Sequence, residues 1–521
     1  MSFMSLQFAA FVTICIVVYY LLPLKYRWLA LFFANFLFYH AFGRRRLACM
    51  LLSALSAWLC AIIIGRVHQA EKQVLSQQKE RLSKEDKNQI KRNFKNKRRI
   101  VLWLFVLLNL GMLLGFKFYP MAAASLSVLP KLNLLVPVGI SFYTLQVLSY
   151  VIDIYNKKIT PEKNLLKVIL FTMYFPQIIE GPISRFDQIS WELFNGNRFS
   201  YDNLLLGIER VLWGFFKKLV IADRLYIAVA HIFDNYTEYF GFEILLGAIL
   251  YTFQLYADFS GGIDIALGVS QMFGVHLPEN FKSPFFSKNI PEFWRRWHIT
   301  LGTWLRDYVF YPITFSKPLS KLTKWLSKHV NKWAGKWIPS YLALLILWFC
   351  NGLWHGEGLQ YIAFGLYHGF LVIIGMSFSP LSKKLCAKLR INTVSCSWKI
   401  FSILRTFLLV CIGELIFRSS SVEMAAGMLI NMFSKFNPYA LTGGFLSSLG
   451  LNAFEMTIAL VAICFMMVIE HRAQKQDLFM WVKNAELPIR WCILFAGIAV
   501  IALFGAYGPM FVPAPFIYFQ F

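Results

Sequence analysis

Long apolar runs separated by short polar stretches occupy most of this 521-residue chain. A helix needs about 20 mainly apolar residues to cross a membrane, because the hydrocarbon core is about 30 Å thick. Runs of nearly that length lie at 5–22, 27–42, 47–65, 100–118, 204–222, 244–270, 340–353, 358–378, 400–417, 453–470 and 490–508, with weaker ones at 135–153 and 163–179. The pattern therefore predicts an all-α, multi-pass membrane protein with roughly 11–13 spans.

Composition supports lipid as the main solvent of this chain. Hydrophobic residues make up 58% of it and charged residues 15%, whereas soluble domains carry about 25% charged residues. So few charges would not cover the surfaces of several soluble domains. The net charge of +25 would suggest nucleic acid in a soluble protein. In a membrane protein Lys and Arg collect in cytoplasmic loops, so we expect no nucleic-acid partner.

The longest polar insertion, 66–99, holds twelve Lys or Arg and four Asp or Glu. The positive-inside rule predicts that it is a cytoplasmic loop, formed as a surface helix or a hairpin. Arg44–Arg46 flank the other end of the apolar run 47–65. If that run spans the membrane, these arginines lie on the non-cytoplasmic side; the alternative is that 47–65 is only half inserted. The first apolar run has no basic residues ahead of it, so we expect a retained helix rather than a signal peptide.

The predicted architecture is one membrane-embedded domain over 1–521, with a catalytic core at about 130–380 and a C-terminal transmembrane hairpin at about 450–521. Several apolar runs in the core contain ionisable residues, which at membrane depth usually face a bundle interior or a watery cavity. The run 244–270 contains Gln254 and Asp258, and Gly261 and Gly262 are expected to interrupt it. The middle of the chain is therefore expected to line a cavity.

Two histidines are the main candidates for chemistry. His298 lies in the segment 291–313, which is interpreted as one amphipathic helix that dips into the cavity. His355 ends an apolar run beside Gly352 and Gly356, which permit a bend or close packing. A neutral imidazole can take a proton from an alcohol as it attacks a thioester. No HExxH motif and no CxxC pair occurs, so no metal site is predicted.

The order of motifs is more specific than any single histidine. It comprises LLVPVGISFYTLQVLSYVIDIY (134–155), FPQIIEGPISR (175–185), GFFKKLVIADR (214–224), YTFQLYADFSGGIDIALG (251–268), NFKSPFFSKNIPEFWRRWHITLGTWLRDYVFYPI (280–313), NGLWHG (351–356), GLYHG (365–369) and FIYFQF (516–521). With this set the chain resembles the membrane-bound O-acyltransferases, in particular the bacterial branch of alginate O-acetylases and related polysaccharide O-acetylation proteins.

The resemblance implies membrane helices around a tunnel, with His355 as the catalytic base and His298 as its polar partner. It implies acetyl-CoA as a cytoplasmic acyl donor, without a bound cofactor. The acetyl group would reach an exported polysaccharide, either directly or through a separate periplasmic or extracellular acetylase. The implied location, among membrane lipids, is the inner (cytoplasmic) membrane of a bacterium.

Basic and aromatic residues of the matching motifs are then candidates for donor binding. Lys217, Lys218, Arg295, Arg296 and Arg306 are candidate phosphate contacts, because CoA is polyanionic; the alternative is that they are boundary charges. Other candidate contacts in the cavity are Asp258, Gln254, Trp294, Trp297 and Trp304. Asp258 could instead pair with Lys217 or Lys218, and the tryptophans could be interfacial anchors.

Two other functions remain open at this stage. One is the transfer of D-alanine to teichoic acid from a carrier protein. The branch of the family that performs this transfer shares the two histidines and the central motifs. The other is a transporter or scaffold without chemistry of its own, since buried polar residues around a cavity would look the same.

Overall fold

A computed structural model describes residues 3–41, 43–78, 80, 82–125, 130, 136–178, 180–435, 444–507 and 516–517. Within these ranges the protein is helical and contains no β-strand. The α-helices are α1 (Leu6–Leu21), α2 (Arg27–His40), α3 (Arg44–Gln77), α4 (Lys84–Ser125), α5 (Ile140–Tyr155), α6 (Leu165–Met173), α7 (Phe186–Asn195), α8 (Tyr201–Phe215), α9 (Asp223–Asp234), α10 (Phe242–Met272), α11 (Ile290–Arg296), α12 (Ile299–Leu305), α13 (Tyr311–Thr314), α14 (Lys317–His329), α15 (Lys332–His355), α16 (Leu359–Lys388), α17 (Cys396–Arg418), α18 (Val422–Ser434), α19 (Phe445–Ser448), α20 (Ala453–Ala473), α21 (Leu478–Asn484) and α22 (Leu487–Phe504).

The chain forms two compact units. The first comprises Met1–Gly207 and Ala266–Pro278, and the second comprises Ile208–Ile265 and Glu279–Phe521. The boundaries pass through α8 and α10. Both candidate histidines lie in the second unit, which is described in most detail below. The single domain predicted over 1–521 stays a prediction.

Eight helices in the described part of the chain are long and apolar enough to cross a membrane, namely α3, α4, α10, α15, α16, α17, α20 and α22. The prediction of an all-α, multi-pass membrane protein is confirmed. Segments 5–22, 27–42, 135–153 and 163–179 contain helices of 16 residues or fewer. Segment 204–222 is helical but carries four charged residues, and it is absent from the eight.

Burial differs sharply between the long helices α10 and α22. In the most apolar stretch of α10, 67% of the residues are buried, against 6% in α22. Protein therefore surrounds α10, whereas α22 presents its apolar side chains outward, as a lipid-facing helix does. The burial of α10 agrees with the expectation that the ionisable residues of the core face a bundle interior or a cavity.

The expected interruption of α10 at Gly261 and Gly262 is wrong, because the helix is continuous through both residues. A Cβ atom at Gly261 would lie 2.9 Å from the carbonyl oxygen of Gly214, and one at Gly214 would lie 2.6 Å from that of Gly261. Such distances are shorter than packed side chains allow. These glycines therefore serve close packing between two helices, which requires no break.

In the first unit, the basic segment 66–99 forms a helical hairpin. α3 continues into this segment as far as Gln77, and α4 begins in it at Lys84. The guanidinium of Arg98 pairs with the carboxylate of Glu71, and both side chains are more than nine-tenths buried. The buried ion pair therefore ties the two arms of the hairpin together. Its cytoplasmic placement stays a prediction.

α15 and α16, which carry part of the candidate site, pack closely because of glycines. A Cβ atom at Gly352 would lie 2.4 Å from the carbonyl oxygen of Tyr361, and one at Gly365 would lie 2.3 Å from that of Trp348. Nothing larger than hydrogen fits at either position without a shift. Close packing is one of the two roles expected for Gly352.

Gly365→Ala is expected to lower the free energy of unfolding by about 1–3 kcal/mol, because the added methyl group forces α15 and α16 apart. The measurement is unfolding of the purified protein in mixed detergent micelles. Gly375→Ala on the same helix is the matched control, because no atom lies within 4 Å of its added Cβ. Equal stability of the two variants would contradict the packing role.

Candidate functional site

A cavity of about 450 Å³ lies within the second unit. Its wall is formed mainly by α11, α12 and the helices α15, α16 and α17. The lining is largely apolar and aromatic, with both candidate histidines included. The residues that line it are Leu255, Pro291, Trp294, Arg295, Trp297, His298, Ile299, Leu301, Gly302, Thr303, Leu305, Arg306, Leu344, Leu347, Trp348, Asn351, His355, Phe364, Val372, Glu414 and Phe417.

His355 is the last residue of α15 and is 4% exposed. Its ring lies edge-on to Phe417, with ring centroids 5.1 Å apart, and 5.9 Å from the ring of Phe364. The ring of Trp354 contacts it from the same helix at 4.9 Å. Aromatic contacts on several sides fix the orientation of the imidazole and exclude water from it.

His298 lies at the start of α12 and is 2% exposed. Its Nδ1 lies 3.2 Å from Oδ1 of Asn280, and the same oxygen accepts hydrogen bonds from the backbone N–H and the hydroxyl of Thr300. Since this oxygen only accepts, Nδ1 carries the proton and donates, which leaves the lone pair on Nε2. Burial lowers the pKa of His298 below its ordinary value, which favours the neutral ring.

The interpretation of 291–313 as one amphipathic helix is wrong at His298. The backbone has φ 45° and ψ 52° there, a left-handed conformation, and it separates α11 from α12. A π-helical turn, Arg306–Phe310, then follows α12. Left-handed backbone is uncommon for non-glycine residues and occurs often at functional sites. The break directs the imidazole of His298 to the ring of Trp354, which lies 5.7 Å away.

The two histidines therefore contact one indole ring, that of Trp354, from two different segments of the chain. They are 57 positions apart in the sequence, and the fold brings them to the same cavity. The cavity also includes Trp294 and Trp297 from the predicted set. Its exposed lining residues are Arg295, Gly302 and Arg306, so two cations stand at its mouth.

The other predicted donor contacts lie outside this cavity. Arg296 pairs with Glu292 at 2.7 Å. Gln254 and Trp304 are buried without lining the cavity. Lys217, Lys218 and Asp258 belong to a buried cluster of ion pairs, described next.

Lys217 and Lys218 lie in a π-helical segment, Phe216–Ala222, and are 2% and 1% exposed. The ammonium of Lys217 lies 2.5 Å from Asp264 and 2.8 Å from the hydroxyl of Ser260. The ammonium of Lys218 lies 2.6 Å from Asp258 and 2.8 Å from Asp223. We call these residues the buried charge cluster. Their mutual pairing favours a structural role, and donor binding by the two lysines stays a prediction.

The C-terminal residues contact the same cluster. The backbone N–H of Ile517 donates to Oδ2 of Asp258 at 2.8 Å. The ammonium of Lys218 lies 4.6 Å from the ring centroid of Phe516. Of the motif 516–521, only these two residues are among those described. The other carboxylate oxygen of Asp258 accepts a hydrogen bond from Lys218, so one side chain of α10 contacts both Lys218 and Ile517.

Three buried polar residues of the site were not among the residues predicted from the sequence. Asn280 positions His298, and both Asn351 and Glu414 line the cavity. Asn280 and Asn351 are the first residues of two of the quoted motifs, and Glu414 is an acid within an apolar run. A polar residue in apolar surroundings was therefore the sequence signal by which these three residues could have been found. The sequence could not show which of them meet at one cavity.

A family model and several known proteins are similar to this chain. The model of the membrane-bound O-acyltransferase family matches residues 162–417, which include both histidines. A probable alginate O-acetylase of Pseudomonas syringae pv. tomato is 36% identical over 334 residues, which are 64% of this chain and 58% of that protein. The chain therefore spans less than two thirds of the length of that relative.

Two relatives carry other names. A peptidoglycan O-acetyltransferase of Helicobacter pylori is 29% identical over 366 residues, covering 64% of this chain and 65% of that protein. A teichoic acid D-alanyltransferase of Bacillus subtilis is 32% identical over 305 residues, covering 55% of this chain and 70% of that protein. On the family-model match and these similarities, the chain belongs to the membrane-bound O-acyltransferase family.

Proposed function

We propose that this protein is an O-acyltransferase that moves an acetyl group from cytoplasmic acetyl-CoA toward an exported polysaccharide, through a partner acetylase or directly. The observation that carries the proposal is that His298 and His355 line one buried cavity, with Arg295 and Arg306 at its mouth. The alginate and peptidoglycan O-acetylating relatives support acetyl as the group that is moved. The proposed location is the cytoplasmic membrane of a bacterium.

The cavity suits a donor that is charged at one end and apolar at the other. The phosphates of CoA would lie near the two exposed arginines, because guanidinium groups bind phosphate through paired hydrogen bonds. The pantetheine arm would then extend along the apolar wall and place its thioester near His355. The aromatic lining excludes water, which protects the thioester from hydrolysis.

In the transfer step, His355 acts as general base. It takes the proton of the acceptor hydroxyl while that oxygen attacks the thioester carbonyl carbon. The new C–O bond forms, the C–S bond breaks, and the departing thiolate of CoA takes up a proton. The products are an ester of the acceptor and CoA with a free thiol. His298, held neutral with its lone pair on Nε2, is the polar partner.

The second candidate function is D-alanyl transfer from a carrier protein to teichoic acid. The match to the Bacillus subtilis D-alanyltransferase, which covers 70% of that relative, favours keeping it. The two candidates differ in the acyl group and in the carrier of the thioester, while both use the same histidines.

The test compares the two donors on the purified protein in nanodiscs. One reaction contains acetyl-CoA with a radiolabelled acetyl group, and the other contains carrier protein loaded with labelled D-alanine. We expect label to leave acetyl-CoA faster, with further acceleration when alginate oligosaccharides or membranes that contain the partner acetylase are added. Consumption of the D-alanyl carrier alone would replace acetyl transfer with D-alanyl transfer. Consumption of neither donor under all of these conditions would contradict acyl transfer.

Replacing Arg295 and Arg306 together with glutamine is expected to raise the KM for acetyl-CoA about three- to tenfold, because exposed charge-assisted contacts with phosphate are lost. The change in kcat should be smaller, since the arginines lie at the mouth of the cavity. Steady-state kinetics in nanodiscs measures both constants.

S-acetyl-pantetheine is the matched control donor, because it has the thioester arm but no phosphate. Its KM should respond little to the two substitutions. An equal rise in KM for both donors would mean that the arginines shape the cavity instead of binding phosphate. Lys321→Gln on α14, which is exposed and does not line the cavity, controls for the loss of surface charge.

A further inference from the structure

Two oxygen atoms of the cavity wall lack hydrogen-bond donors. Asn351 and Glu414 both line the cavity and are 4% and 1% exposed. Within the described residues, neither Oδ1 of Asn351 nor Oε1 of Glu414 has a hydrogen-bond partner. Buried polar atoms are nearly always paired, because leaving one unpaired costs the whole free energy of its desolvation. The two oxygens therefore call for a hydrogen-bond donor that the described residues do not supply.

Both side chains adjoin the proposed catalytic base. Asn351 precedes His355 by four residues on α15, so the two lie on the same face of that helix. Glu414 precedes Phe417 by three residues on α17, and the ring of Phe417 contacts that of His355 at 5.1 Å. Asn351 and Glu414 thus line the cavity of His355 from two separate helices.

The cations of the cavity are not placed to satisfy Glu414. Arg295 and Arg306 are exposed at the mouth, and Arg306 pairs with Asp307 at 2.8 Å. The other described residues of the cavity lining are mainly apolar or aromatic. Packing alone would favour an apolar residue at position 414, since a buried acid without a partner is costly. A ligand that donates hydrogen bonds would offset that cost.

We propose that Asn351 and Glu414 form a hydrogen-bond-accepting subsite that holds the hydroxyl-bearing acceptor of the acyl group beside His355. The inference rests on the proposed acyl transfer and names the residues that recognise the acceptor. A polyol offers several hydroxyl donors, so one hydroxyl can bind the subsite while its neighbour gives its proton to His355. We assign the subsite to the acceptor because the donor thioester has no hydrogen-bond donor at its reacting carbon.

The test measures how the acetyl group divides between an alcohol and water. Full-length protein in nanodiscs is given labelled acetyl-CoA and glycerol, and the ratio of acetylglycerol to free acetate is determined. We expect Glu414→Leu to lower this ratio about tenfold, the loss expected for a hydrogen bond that involves a carboxyl group. Glu414→Gln should retain most of the ratio, because its amide oxygen still accepts.

Two variants serve as comparisons. Asn351→Leu should lower the ratio in the same direction, which a purely structural role of Glu414 would not explain. Glu209→Leu is the matched control, because Glu209 is also a buried acid whose carboxylate oxygens lack hydrogen-bond partners in the described chain, but it does not line the cavity. A wild-type ratio in Glu414→Leu would overturn the subsite.

Binding is measured in parallel, so that the inference does not depend on turnover. Alginate oligosaccharides should raise the unfolding temperature of the wild-type protein and of Glu414→Gln, but not that of Glu414→Leu. Stabilisation of all three alike, or of none, would overturn the subsite. Glu414-dependent stabilisation without any transfer that requires His355 would contradict the proposed function and leave the subsite intact.

Two acyl donors, S-D-alanyl-pantetheine and S-acetyl-pantetheine, distinguish the groups that could donate hydrogen bonds to Asn351 and Glu414. If Glu414→Leu instead lowers the use of S-D-alanyl-pantetheine relative to S-acetyl-pantetheine, the subsite binds the ammonium of the acyl group. That result would overturn its assignment to an acceptor hydroxyl. A rise in the KM for S-acetyl-pantetheine, with an unchanged acceptor ratio, would assign the subsite to the amides of the donor arm and would overturn the proposal as well.

Discussion

His355→Ala is expected to lower acyl transfer by about 10²–10⁴-fold, the usual contribution of a general base. The protein should remain folded, because His355 ends α15 at the cavity wall and its removal leaves the glycine packing of α15 against α16 in place. The reaction to follow is consumption of labelled acetyl-CoA in nanodiscs, with the unfolding temperature measured on the same samples.

His329→Ala is the matched control for this substitution. His329 ends α14, is exposed, and does not line the cavity, so its variant should turn over like the wild type. Near-wild-type turnover by a folded His355→Ala protein would contradict the assignment of the base. A transporter without chemistry would bind CoA in both variants and transfer nothing in either.

Lys218→Met is expected to lower the free energy of unfolding by about 3–5 kcal/mol, because it leaves buried carboxylates without their cation. Asp258 and Asp223 both lie within 3 Å of the ammonium, and each is almost fully enclosed. Chemical unfolding in mixed micelles measures the change. An exposed lysine on α16 gives the control Lys384→Met, which should be near neutral.

The same variant separates the two roles considered for Lys218. A lysine that bound donor phosphate would give a folded variant of wild-type stability with a raised KM for acetyl-CoA. A lysine of the buried charge cluster gives an unstable variant, and whatever folds should keep its KM. Wild-type stability of Lys218→Met would therefore contradict the structural role and support the prediction from sequence.

The membrane class of the fold was predictable because apolar length is a local property of the chain. Eight predicted runs correspond to long helices. The predicted span at 163–179 is not one long helix, because α6 ends at Met173. The residues that follow are buried by packing without continuing the helix. The predicted interruption at Gly261 was wrong because a glycine that breaks a helix and a glycine that packs against a neighbouring helix look alike in sequence.

The candidate site was predictable where the residue type alone indicated a function, as it does for histidine and for arginine. The two histidines and the exposed arginines do lie on one cavity. The role of the charged residues in the π-helical segment Phe216–Ala222 and in α10 was ambiguous, because Lys218 and Asp258 are 40 positions apart and only the fold brings them together. The left-handed residue His298 was not predictable from periodicity, because Asn280, eighteen positions earlier, holds the turn.

The hydrogen bond from Ile517 to Asp258 has a consequence for biosynthesis. Lys218 and Asp258 are made 40 residues apart, whereas Ile517 emerges 259 residues after Asp258. One carboxylate oxygen of Asp258 therefore lacks this donor until translation has reached Ile517. A nascent or shortened chain that stops before Ile517 keeps this buried acid incompletely bonded, which is costly. Proteases of membrane quality control are thus expected to degrade chains that stop before Ile517 faster than chains that contain it.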